Sequence, residues 1–110
     1  IMMENLAPYV SAILERPSPH PITARETAKE QWPDQGFTVC RETTTYRFHN
    51  GVVIRRTVEQ DDFPSELACA ECWITYEVLA QGPDMPQIQP TKQVFQNACR
   101  EAFWLQYHSA

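Results

Sequence analysis

Between Cys40 and Val58 the chain reads CRETTTYRFHNGVVIRRTV, two alternations of apolar and polar positions separated by His49-Asn50-Gly51. A period of two is the mark of a half-buried strand, so the segment predicts a long β-hairpin spanning 37–59. A two-residue loop at Asn50-Gly51 would set Tyr46 opposite Arg55 and place a charge behind an aromatic ring. A three-residue loop with Gly51 in the left-handed region instead pairs Phe48 with Val52 and Tyr46 with Ile54. That register gathers Tyr46, Phe48, Val52, Ile54 and Val58 on one face. Because side chains alternate across a strand, Arg41, Thr43, Thr45, Arg47, Val53, Arg55, Thr57 and Glu59 fall on the other. The three-residue turn is therefore expected. Phe37 and Val39 have the opposite parity to Tyr46 and Phe48, which predicts a bulge or bend between 41 and 44.

The same alternation returns at 68–79, where Cys72, Ile74, Tyr76 and Val78 interleave with Glu71, Trp73, Thr75 and Glu77. This is a third antiparallel strand with one buried face. Elsewhere the period lengthens. Leu6, Val10, Ile13 and Leu14 form a helical stripe over 5–16, with Asn5 as cap and Pro8 in the first turn. Pro17, Pro19 and Pro21 end that helix. Thr23 and Glu26 have capping-box spacing and predict a short second helix over 24–31, closed by Trp32-Pro33. Asp34-Gln35-Gly36 is a turn. A last helix is expected over 91–107, capped by Thr91, with Val94, Phe95, Ala98, Cys99, Ala102 and Leu105 facing the sheet. Phe103 sits at the margin of that stripe, and Trp104 and Tyr107 fall outside it. The sum is one α+β domain over 1–110, a three-stranded antiparallel meander packed by an N-terminal helix, a short second helix and a C-terminal helix.

Composition narrows the functional classes. With 110 residues, 43% hydrophobic and 21% charged, the chain has enough apolar material for one core. No stretch approaches the roughly 20 apolar residues of a membrane helix, and no basic segment followed by an apolar core opens the chain as a signal peptide would. A net charge of −5 makes nucleic acid an unfavoured partner. The four cysteines, Cys40, Cys69, Cys72 and Cys99, are too scattered for a disulfide scaffold, so reduced thiols and a cytoplasmic location are expected, with a periplasmic location and one or two disulfides as the alternative.

Candidate chemistry is sparse. Cys69-Ala70-Glu71-Cys72 has the spacing of a thiol pair, but it leads into a strand, where residues three apart point to opposite faces. Cys40 and Cys99 supply no second pair for zinc, so no metal or other cofactor is expected. His20, His49 and His108 lie in loop-like or terminal stretches and are expected to be solvated. No catalytic residue is assigned, because no hydrolase, phosphate-loop or dinucleotide motif occurs. Arg41, Arg47 and Arg55, with Trp73 on the same face, could form a platform for an acidic protein, a small anionic ligand or single-stranded nucleic acid. The competing expectation is internal pairing, with Arg41 opposite Glu59 and Arg47 and Arg55 on the face that carries Glu71 and Glu77. Phe103, Trp104 and Tyr107 form an aromatic surface where a monomer normally places charges, and this points to a homodimer. The leading expectation is a non-enzymatic protein that works through protein–protein or small-ligand contacts. A thiol enzyme using Cys69 and Cys72, and a nucleic-acid module using the arginine face, are the alternatives.

Overall fold

A computed structural model describes residues 3–61, 71–81 and 87–109. The elements run β1 (Met3–Asn5), α1 (Ala7–Ile13), β2 (Ile22–Asp34), β3 (Phe37–Phe48), β4 (Val53–Asp61), β5 (Trp73–Ala80), β6 (Gln87–Gln89), β7 (Lys92–Phe95) and α2 (Ala98–Ser109). The class is α+β, and its centre is a five-stranded antiparallel sheet of order β2-β3-β4-β5-β7. A separate pair, β1 and β6, is parallel.

The hairpin β3–β4 has the three-residue turn. The Phe48 N–H donates to the Val52 carbonyl at 2.9 Å, the Gly51 N–H donates to the Phe48 carbonyl at 3.1 Å, and Tyr46 lies opposite Ile54. Gly51 takes φ +90°, a left-handed backbone that a side chain would strain. Asn50 Oδ1 accepts the Val52 N–H at 3.2 Å, so the turn's own side chain ties it off. Tyr46, Phe48, Val52 and Ile54 are all buried on the inner face.

Four expectations are corrected. Residues 24–31 are not a helix but the middle of β2, paired residue by residue with β3 from Ala24↔Arg47 to Asp34↔Phe37. The cause lies at Gln35-Gly36, where φ values of +48° and +84° make a tight two-residue hairpin turn. Helix propensity differs between residues by a few tenths of a kcal/mol, whereas the turn commits a whole ladder. The sheet has five strands rather than three. The third strand of the meander is β5, starting at Trp73; positions 68–70 lie outside the described residues. The C-terminal helix does not start at Thr91, because residues 92–95 pair with β5 as β7. Asn97 then starts α2, its Oδ1 accepting the Arg100 N–H at 2.7 Å. Finally, β3 pairs with β4 without a register shift from Val39 to Arg47, so no bulge brings Phe37 inward, and Phe37 stays exposed.

Both helices lie on the inner face. Leu6, Tyr9, Val10 and Ile13 of the α1 region, Ile88 of β6 and Leu105 of α2 join Ile54, Ile74 and Tyr76 in one cluster. Burying each such aliphatic side chain contributes about 1.5–3 kcal/mol, so this cluster is the main source of stability. The cluster covers only part of the sheet. The molecule measures 49 × 28 × 20 Å with a radius of gyration of 15.1 Å, against about 13 Å for a compact chain of this length. The excess matches β2, whose side chains are exposed at every position except Ile22 and Trp32.

Candidate functional site

The outer face collects the arginines anticipated for a binding platform. Arg41 donates through Nε and Nη2 to Glu59 Oε2 at 3.3 and 3.2 Å, and its guanidinium lies 4.8 Å from the centre of the Trp32 ring. Arg55 Nη2 donates to Glu77 Oε1 at 3.1 Å. Arg47 is exposed near the turn, and its carbonyl accepts from Thr23 Oγ1. Trp73 is about half exposed beside Glu59. A shallow trough of about 570 Å³ runs along this face. Among its lining side chains Arg41, Arg55 and Lys92 are matched in number by Glu30, Glu59 and Glu77. The trough therefore has no surplus of positive charge with which to hold a polyanion.

The inner face carries a charged group that alternation implies, because Arg56 has the parity of Ile54 and Val58. Its Nη2 donates to both carboxylate oxygens of Glu101, at 3.2 and 3.0 Å, and its Nε reaches the Tyr76 hydroxyl at 2.9 Å. That hydroxyl in turn donates to Glu101 Oε2 at 2.5 Å. Burial works against the Arg56 charge, yet Tyr76 and Glu101 beside it hold its pKa above the ordinary value. Burial first, and Glu101 second, push the Tyr76 hydroxyl far up, with Arg56 opposing. Every member is occupied by the other two. The group acts as a clamp, fastening α2 to β4 and β5.

Next to the clamp a cleft of about 380 Å³ is lined by Cys40, Cys72 and Arg56. Cys40 and Cys72 are free thiols, and Cys99 is disulfide-bonded, which corrects the expectation that all four would be reduced. Cys69 lies outside the described residues, so the Cys69–Cys72 pair is seen only through Cys72. Burial raises that thiol's pKa, with Glu101 adding to the effect, so Cys72 is a weaker nucleophile than an ordinary thiol at neutral pH. No cluster of three metal-ligating side chains occurs among the described residues.

Of the three histidines expected to be solvated, His49 and His108 are exposed and only His20 departs from that expectation. His20 stacks on Tyr9 with ring centres 4.0 Å apart, lies 5.8 Å from His49, and places Nε2 2.6 Å from Glu4 Oε1. Its Nδ1 is buried with no hydrogen-bond partner among the described residues. His20 thus belongs to the packing that ties the proline segment to α1.

The apolar surface lies where β7 meets α2. Val94, Phe95, Phe103, Trp104 and Tyr107 line a groove of about 520 Å³, with Gln96 and Arg100 at its polar margin. Phe103 is 69% exposed, Tyr107 72% and Val94 43%. Trp104 is half-buried, its ring 5.5 Å from Phe95 and 4.8 Å from His108. Of the three aromatics expected to form an interface, two are therefore open and the third forms the groove wall. Val94, assigned to the buried stripe by a helical wheel, is on the surface because strand geometry replaces the helix there.

Comparison of the chain with protein-family models, curated proteins and solved structures finds no match.

Proposed function

We propose that this protein is a non-catalytic binding protein that works as a homodimer through the groove between β7 and α2. The observation carrying this reading is the concentration of exposed Val94, Phe103 and Tyr107 in one concavity, since apolar patches on soluble domains mark interaction sites. The outer trough is a weaker candidate for a small ligand, because its arginines already hold carboxylates. A thiol enzyme receives no support from Cys72, whose pKa moves away from the thiolate. No helix among the described residues is long and apolar enough to cross a membrane. A cytoplasmic location suits the free thiols of Cys40 and Cys72, whereas the disulfide at Cys99 suits an oxidising compartment. Light scattering across micromolar concentrations tests the central reading. A dimer that Phe103→Glu converts to a monomer supports it, and a wild-type monomer throughout removes it.

A further inference from the structure

The two sides of β7 differ. The Val78 N–H donates to the Thr91 carbonyl at 2.8 Å, and Gln93 and Phe95 pair with Tyr76 and Ile74 of β5. In an antiparallel ladder, backbone groups point alternately towards and away from the neighbour. The N–H and C=O groups of Lys92 and Val94 therefore face away from β5. β7 is the last strand of its sheet, so no described strand pairs with that side. The open edge also forms one margin of the apolar groove, since Val94 and Phe95 line it together with Phe103 and Tyr107.

We infer that the occupant of this groove is β7 of a second copy, added antiparallel across a two-fold axis to make one ten-stranded sheet. This rests on the homodimer reading and supplies its geometry. Three features select a second copy. First, the groove asks for an extended segment with a free backbone edge and an exposed apolar residue, and β7 is such a segment, so the patch is complementary to itself. Second, centring the axis on Val94 pairs the outward groups of the two Val94 residues with each other. It also keeps the two Lys92 side chains apart, so the pairing brings no like charges face to face. The backbone bonds come from Val94 alone at the centre, since Gln96 lies beyond β7 and its carbonyl already accepts the Cys72 N–H at 3.0 Å. Third, the sheet's opposite edge is defended. β2 carries Arg25, Glu26, Lys29 and Glu30, exposed, and Pro33 near its end, the features that discourage edge-to-edge association. Residues 92–95 contain one charge and no proline.

The test separates the pairing from the dimer itself. Val94→Pro removes an outward N–H while leaving every hydrogen bond to β5 in place. Two hydrogen bonds vanish from a symmetric dimer, so sedimentation should show the dimer dissociation constant rise about tenfold or more. Retained exchange protection of the Tyr76 and Ile74 amides shows that the variant is folded. Hydrogen exchange on the wild-type chain gives an independent reading: the Val94 amide should gain protection as concentration rises. A wild-type monomer overturns both the dimer and its geometry. A dimer that Phe103→Glu breaks but Val94→Pro leaves intact, with the wild-type Val94 amide unprotected, overturns the edge pairing alone.

Discussion

β2 and β7 are the two edges of one sheet, and they solve the problem of unpaired backbone in opposite ways. β2 is 13 residues long, and its side chains are almost wholly solvated. It carries alternating charges and a proline, and no helix is needed to shield it. β7 has four residues, stands beside α2, and opens onto a groove of exposed aromatics. A charged edge is soluble by itself but contributes little to a core, whereas an apolar edge is anchored at the core and leaves surface for a partner. The contrast is what the proposed dimer surface rests on. It also explains why the clamp of Arg56, Tyr76 and Glu101 lies near the β7 side. There it holds the helix that shapes the groove.

The largest test of this contrast is to break the clamp. Glu101→Ala leaves Arg56, whose side chain is 22% exposed, without its carboxylate. It should cost about 3 kcal/mol in urea unfolding, near the lower end of the range for an uncompensated buried charge. The double replacement Arg56→Met, Glu101→Leu should recover most of that loss, because it removes both charges together. If the single variant unfolds at the wild-type midpoint, α2 is not held by this group.

A middle-sized effect should come from the turn that creates the β2 edge. Gly36 has φ +84°, so Gly36→Ala should cost about 1–2 kcal/mol through backbone strain, even though space around it is open. The loss should appear first as faster amide exchange in β2, with β5 and β7 unaffected. Equal loosening at both edges would mean that the edges unfold as one unit.

Alkaline titration probes the packed end near the hairpin turn. Burial, outweighing the hydrogen bond that Asn50 donates, raises Tyr9 to about 12, with Glu4 adding to the rise. The ordinary tyrosine value is 10.0. A raised folded-state value means that the native state holds the proton more tightly. The corresponding stability is thus fully present below pH 10 and is lost as pH rises through 12. Ultraviolet difference titration should show one tyrosine ionising near pH 12 with concurrent loss of stability. Ionisation of Tyr9 near pH 10 would contradict its burial.

The smallest effect belongs to the defended edge. Lys29 lies 3.8 Å from Glu42, and both side chains are more than half exposed. Lys29→Ala should therefore change stability by less than about 0.5 kcal/mol. A loss as large as that of Glu101→Ala would erase the distinction between the two edges.

Several of these features were readable along the chain. The turn at His49-Asn50-Gly51, the buried set Tyr46, Phe48, Val52 and Ile54, and the pairs Arg41–Glu59 and Arg55–Glu77 follow from strand alternation and a known turn chemistry. Arg56 was within reach of the same argument. It sits between Ile54 and Val58 on the inner face, and a charge there requires an acid from another element. Glu101 offered a weaker signal, one helical turn before Leu105. The identity of β2 was concealed because Thr23, Glu26 and the alanines and charges after them suit a helix, and an edge strand exposed on both faces shows no apolar period. β7 was concealed for a related reason: four residues at the head of a helical pattern are indistinguishable from its first turn.

Local order thus came from the sequence alone, since neighbours along the chain set turns and alternation through sterics and short-range hydrogen bonds, although α1 spans Ala7–Ile13 with Leu6 at its N-cap rather than 5–16 with Asn5 as cap. Tertiary structure decided the edges. Whether residues 22–34 and 92–95 extend depends on the backbone partners that β3 and β5 offer from elsewhere in the chain, and a paired ladder outweighs propensity differences of a few tenths of a kcal/mol per residue. The same pairing decided which aromatics of α2 stay outside, and with them the surface on which the proposed function rests.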